Sequence, residues 1–286
     1  MNRVFFLILC FCTEITFGKT ALPDSLLVRQ MLELTDLNLK SSKNNDSNSN
    51  KFFVQLGINC AAYSKSDIKF QGSGYNFTLK DVKGNDQPAK GSLQYNIHLG
   101  YYLNNTYSIY LGLDHMKYVM DVPQQVKISG FIESSVSKPG ISTGQYEGVY
   151  NDETITVNPD LLTLEYTDGF NYAKLGVSRQ DNLLASRKGK STLKLTTGLA
   201  GGLIIPRSDV RLFTVGKNNK MNIAGWATSV NAGLKFYLNE SLYLQGSVEA
   251  GYSNLFKVHT TGRNNVDKAG HKLYFLQNYW LIGFQF

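Results

Sequence analysis

The chain carries four histidines, His98, His115, His259 and His271, and any acid–base, nucleophilic or metal chemistry would have to be built around them. Asp114-His115 is the first pair to suggest a dyad. It lies where apolar and polar residues alternate, and neighbours in a strand point to opposite faces, so these two side chains cannot meet directly. His115 shares the parity of Leu111 and Leu113 and falls beside Lys117 and Tyr118, an outward position at headgroup level. A serine on a neighbouring strand is what would make it a base, and no spacing demands such a pair. His259 and His271 flank a Gly/Asn-rich stretch with Asp267. Metal binding needs several ligands at fixed distances, so these read as solvated loop residues. No catalytic residue, metal or cofactor is expected.

The elements that carry these residues follow from a change of pattern along the chain. Met1-Asn2-Arg3 is basic, Val4 to Cys12 is apolar, and Thr16-Phe17-Gly18 offers a cleavage site, the pattern of a secretory signal peptide over 1–18. The apolar run is shorter than the ~20 residues a membrane helix needs. Of the three cysteines, Cys10 and Cys12 fall inside this segment, which leaves Cys60 as the one expected thiol. Residues 19–50 read as a periplasmic N-terminal segment and linker. Leu26, Leu27, Met31, Leu34 and Leu37 suit a weak amphipathic helix, which would be either mobile or a plug at the barrel base, and SSKNNDSNSN over 41–50 is a polar linker. Export removes nucleic acid as a partner, despite a net charge of +7.

From residue 51 the period is two. Leu93, Tyr95, Ile97, Leu99, Tyr101 and Leu103 share one face, with Gln94, Asn96, His98 and Gly100 on the other. Residues 107–114 and 226–238 repeat the pattern. The segments reach the 9–11 residues of a tilted membrane strand. Their polar faces are rich in Gly, Ser, Asn and Gln, as a narrow lumen requires. Trp280, Ile282, Phe284 and Phe286 alternate up to a terminal aromatic, which we read as a barrel-assembly signal and a supply of interface anchors. The expectation is an all-β fold: a transmembrane, antiparallel, up-and-down β-barrel over 51–286. Eight strands are placed at 51–63, 92–103, 107–119, 163–178, 191–204, 224–238, 242–254 and 271–286. Ten strands would result if Ile68–Lys80 and Val126–Ile132 crossed the membrane rather than extending the barrel above it. Tight turns at 104–106 and 239–241 place Leu103 opposite Tyr107, Leu238 opposite Leu242, His98 opposite Gly112 and Asn231 opposite Glu249.

An eight-stranded barrel is filled by its own side chains. A polar lumen network is expected from His98, Asp114, Lys174, Lys194, Lys235 and Glu249, with lysine partners for both acids. Outside, Arg207, Arg211, Lys217, Lys220, Lys257 and Arg263 make two connections basic, whereas 120–162 is acidic. The basic loops suit lipopolysaccharide phosphates or a bridge to the acidic loop.

Architecture and C-terminus resemble the small eight-stranded OmpA-type outer-membrane barrels over 51–286. The runs Gly74–Val82, Leu113–Met120 and Thr167–Tyr172 are similar to segments of uncharacterised bacterial outer-membrane proteins. The resemblance implies a Gram-negative outer-membrane location and this fold, and it transfers no catalytic residue. No peptidoglycan-binding domain is expected after the last strand. The function expected is a structural or surface-binding barrel with ligand- or lipopolysaccharide-contacting loops. Its partners would be outer-membrane lipid, lipopolysaccharide and the barrel-assembly machinery. The alternative is an outer-membrane enzyme, lipid A-modifying or an omptin-like protease, and a His–Ser/Glu or Asp–His cluster at the outer rim would favour it. A loop-capped lumen with only paired charges would favour the binder.

Overall fold

A computed structural model describes residues 51–136, 140–185, 191–216, 220–262 and 266–286. The expected signal peptide and the 19–50 segment lie outside the described residues, as do Lys217 and Arg263. In chain order, β1 (Phe52–Tyr63) leads into β2 (Ser66–Gly72), β3 (Tyr75–Val82) and β4 (Gly84–Asn85). β5 (Tyr95–Tyr102) and β6 (Tyr107–Met116) follow, then β7 (Val119–Met120), β8 (Gln124–Ile132), β9 (Ser135–Val136), β10 (Ile141–Ser142), β11 (Gly148–Val157) and β12 (Leu162–Glu165). The chain continues through β13 (Phe170–Ala185), β14 (Ser191–Pro206), β15 (Asp209–Leu212), β16 (Gly225–Tyr237), β17 (Leu242–His259) and β18 (Lys268–Gln285).

Eight of these close a ring in the order β1-β5-β6-β13-β14-β16-β17-β18, with β18 returning to β1. Every pairing in the ring is antiparallel. Closure leaves no edge along the barrel wall, so each wall amide and carbonyl finds a partner without water. The outward side chains Leu56, Leu99, Leu111, Leu175, Leu199 and Ile282 are all exposed. A continuous apolar girdle of this kind is foreign to a water-soluble protein and matches hydrocarbon. Near its upper margin Trp226 packs edge to face on Tyr252, and Tyr274 packs at a tilt on the same ring, as interface aromatics do. The chain is a transmembrane β-barrel that crosses with strands; no described helix is long and apolar enough to do so.

The hairpin register is the one the face pattern requires. His98 lies opposite Gly112, and Asn231 opposite Glu249. Leu103 donates its amide to Tyr107, and Leu238 to Leu242. Two readings need correction. The fourth barrel strand is Phe170–Ala185, not 163–178. Leu162–Glu165 alternates like a barrel strand, but it pairs with β15 and β7 above the membrane, and a turn at Gly169 (φ 135°) separates it from the wall. As a result, the strand runs on through residues 179–185, with the β13–β14 ladder reaching Ala185 opposite Ser191. In addition, Cys60 is buried and disulfide-bonded, with a partner outside the described residues.

Above the ring, the outer connections build a cap. β2 continues β1 past a bulge and pairs with the top of β18, and β3, β8 and β11 extend that sheet. A second sheet, β15-β12-β7-β4, packs alongside. One contiguous core runs through both and down into the barrel mouth; it includes Phe70, Phe77, Leu79, Ile128, Leu164 and Phe170. The runs around Ile68–Lys80 and Val126–Ile132 extend above the wall, so the barrel has eight strands.

Candidate functional site

Two polar constellations are built on the ring, one inside it and one on its outer rim. Inside, Lys174 on β13 reaches Glu249 on β17 with Nζ 2.8 and 2.6 Å from the two carboxylate oxygens. It also lies 2.6 Å from Asp114 Oδ2 on β6, and all three side chains are fully buried. His98 Nε2 is 2.8 Å from the other oxygen of Asp114, and His98 Nδ1 is 3.3 Å from Gln55 Oε1. Gln55 donates to Gln245, which donates to Ser247. The chain of contacts crosses the lumen from β6 and β13 to β17, so it fills the bore and ties opposite walls together. One lysine serves both acids because Gly112 opens the wall between them: a Cβ there would press on His98 and Lys174.

The six expected lumen residues do not form one network. Lys194 and Lys235 are register partners nearer the periplasmic turns. Lys235 is held against aromatic faces, with Nζ 4.4 Å from the Tyr243 ring centre and 3.2 Å from Tyr102 Oη. Cation–π attraction takes the place of an ion pair there. Half-buried Lys194 lies over Tyr237. The terminal aromatics Trp280, Phe284 and Phe286, with Ile282, project outward and exposed. Trp280, Ile282 and Phe284 face Ile58, Leu56 and Val54 across the closing seam.

The rim constellation centres on His115, and sequence reasoning missed two of its members. His115 keeps the outward parity expected of it, yet it is buried. Its ring stacks on Tyr95 at 4.8 Å between centres and 4° between planes. Nε2 lies 2.9 Å from Ser92 Oγ, and Nδ1 lies 2.7 Å from Asn171 Oδ1. Asn171 sits directly across the ladder from His115 on one side and from Ile205 on the other. Its Nδ2 donates to the Ile205 carbonyl at 3.0 Å, which turns Oδ1 toward the imidazole. The one sequence signal was a histidine and an asparagine on the parity reserved for lipid. Ser92 had none, because it comes from a strap before β5.

That strap is pinned from several directions. Lys117, buried rather than at the headgroups, donates to the carbonyls of Pro88 and Lys90, and Lys90 pairs with Glu165. Asp86 accepts the Ala61 amide at 2.7 Å and Gln94 Nε2 at 2.9 Å. Burial pushes the Asp86 carboxyl up to about 6, against the opposing pull of those donors and of Lys117.

His271 lies within the cap core rather than in a solvated loop; Ser66 Oγ is 3.3 Å from Nδ1 and Tyr166 Oη is 3.0 Å from Nε2. Asp267 bonds Thr261, and the described residues contain no cluster of potential metal ligands. Around the same rim, Arg207 bridges to Met221 in the backbone ladder and pairs with Asp168 at 3.7 Å. The amides of Phe256 and Lys257 both donate to the Ala224 carbonyl, so Arg207, Met221, Ile223, Phe256 and Lys257 stand in a row. Met221, Ile223 and Phe256 are exposed, as are Lys220 and Lys257. Arg211 lies 4.0 Å from Asp209 of its own loop. The acidic connection is held by Lys80 and Lys127 on Asp152 instead.

No family model and no curated protein matches the chain. Among solved structures it is similar to OprG from Pseudomonas aeruginosa (10% identity, TM-score 0.41, covering 83% of this chain and 96% of that one). It is also similar to Ail of Yersinia pestis (14%, 0.34, 83% and 99%) and to the outer membrane protease OmpT from Escherichia coli (8%, 0.38, 86% and 99%). By its own ring closure and apolar girdle, the chain is an eight-stranded transmembrane β-barrel of the outer-membrane kind.

Proposed function

We propose that this is a closed, non-conducting outer-membrane barrel whose work is done at its outer rim, where it holds anionic lipid of the outer leaflet. The observation that carries this reading is the row Arg207, Met221, Ile223, Phe256 and Lys257. Exposed apolar side chains lie beside basic ones at the level where acyl chains give way to phosphates. Met221, Ile223 and Phe256 enter the acyl region, and Lys257, Arg207 and the nearby Lys220 meet phosphate oxygens. Lipopolysaccharide is the amphiphile of that leaflet with the matching charge. The buried ion network and the capped mouth support the non-conducting part, since they leave the bore filled.

The test is retention of lipopolysaccharide by the folded protein, extracted from membranes in a mild detergent and compared with a Lys257→Glu, Arg207→Glu variant. The expected result is co-purified lipopolysaccharide that added salt releases and that the double variant lacks. Equal retention by both proteins would refute the reading.

A further inference from the structure

We propose that Ser92, His115 and Asn171 form a hydrolytic triad that cleaves carboxylic esters of outer-leaflet lipids. The proposal rests on geometry and does not depend on the lipopolysaccharide reading. The Asn171 amide is oriented by its bond to the Ile205 carbonyl, so the group facing His115 is Oδ1, an acceptor. Nδ1 of His115 must therefore carry the proton. Nε2 is left with a lone pair, and its neighbour at 2.9 Å is Ser92 Oγ, which donates its proton to the ring. This is the order in which a serine nucleophile, an imidazole base and an orienting side chain work together on unrelated folds.

Three further features separate this arrangement from a casual surface contact. The ring is clamped by Tyr95 stacking, and Asn59 Nδ2 holds the His115 carbonyl at 3.3 Å, so the base is fixed in plane and in height. Ser92 is exposed while His115 and Asn171 are buried: the nucleophile faces the surroundings and its base is shielded from water. The strap bearing Ser92 is held by Lys117 and by the Lys90–Glu165 pair, which pre-places the hydroxyl. Position supplies the substrate class. His115 stands two ladder positions above the Ile97–Leu113 pair, on the lipid-facing parity, and Leu93, next to Ser92, is exposed. This is the depth at which acyl esters of membrane lipids lie.

In the reaction, Ser92 Oγ bonds to the ester carbonyl carbon as its proton passes to His115 Nε2. The bond from that carbon to the alcohol oxygen then breaks, and the leaving alcohol takes the proton. Water attacks the acyl-Ser92 ester; His115 accepts its proton and returns it to Ser92 Oγ as the fatty acid departs. Water is the only co-reactant.

The test uses the chain expressed from its full sequence and extracted folded from membranes in detergent. It is treated with a fluorophosphonate probe, the modified peptide is mapped by mass spectrometry, and hydrolysis of p-nitrophenyl esters of short and long acyl chains is followed. The expected result is labelling at Ser92 and faster turnover of the long-chain ester. Both should be lost in Ser92→Ala and His115→Ala, by at least ~100-fold, as befits parts of one nucleophilic unit. Asn171→Ala should lower the rate and Asn171→Asp restore it, because either side chain can accept from Nδ1. Heat-modifiable gel mobility reports folding of each variant, and mapping on the unaltered chain decides the matter even where a variant does not fold. A folded, unaltered protein that is neither labelled at Ser92 nor active would reduce the trio to a structural latch and overturn the proposal.

Discussion

The ring of Phe53 on β1 lies across Gly100 on β5, so close that a Cβ at position 100 would overlap it. The same arrangement recurs with Tyr110 over Gly176, Phe275 over Gly251 and Tyr243 over Gly283. An eight-stranded bore is too narrow for bulky groups on every strand, so each of these four inward rings is seated on a glycine of the neighbouring wall. Gly100→Ala is expected to destabilise the folded barrel by about 1–3 kcal/mol, the usual cost of overpacking a filled interior. The urea midpoint of the folded gel band, measured against that of an outward Ala62→Gly control, checks this.

Lys174 forms ion pairs with two buried carboxylates at once. Lys174→Met leaves Asp114 and Glu249 without their cation, and removing one partner of a buried ion pair costs about 3–5 kcal/mol. Adding Asp114→Asn and Glu249→Gln to Lys174→Met should recover most of that loss, since neutral amides do not need the ammonium. Equal urea midpoints for the single and triple variants would show that the lysine contributes through packing alone.

Asp86 should give the strap a pH dependence. Its folded value, about 6, lies above the ordinary 3.8, so the folded state binds the proton more tightly than the unfolded one. The stabilisation is complete below pH ~4 and is lost as pH rises through about 6. Amide exchange in residues 86–94 is therefore expected to speed up between pH 4 and 7 beyond its intrinsic base catalysis. Asp86→Asn should abolish that excess; an unchanged profile would place the charge elsewhere.

The cap has its own core, so it should open without the barrel. Leu79 is fully buried there, and Leu79→Ala is expected to cost about 2–5 kcal/mol. Limited proteolysis would detect the effect as faster cleavage within 64–94 and 117–169, with heat-modifiable mobility retained. Simultaneous loss of both signals would mean that cap and wall unfold as one unit.

The ring was legible because lipid and lumen impose opposite chemistry on successive residues, and Leu93–Leu103 or Trp226–Leu238 display that alternation directly. Leu162–Glu165 misled for the same reason. A strand facing the cap core alternates like one facing hydrocarbon, and its true partners, β15 and β7, are distant in sequence. The Lys174 pairing was anticipated in kind, because Asp114 and Glu249 on the inward parity had to find a lysine. The separate aromatic seat of Lys235 depends on Tyr102 and Tyr243 meeting across the barrel, which no local pattern encodes. Ser92, His115 and Asn171 come from three stretches of the chain, and only the closed register brings them together.

The shared core of the cap also bears on how this surface can change. The outer segments of many barrels are independent loops that can be exchanged or lengthened one at a time. Here β3, β8, β12 and β15 come from three different connections and bury their side chains against one another. A change in any one of them is felt by the others. Variation at the cell exterior is thereby channelled to solvent-facing positions of a fixed framework, much as substitutions on a folded domain leave its interior intact, so this surface would change by recolouring rather than by reshaping.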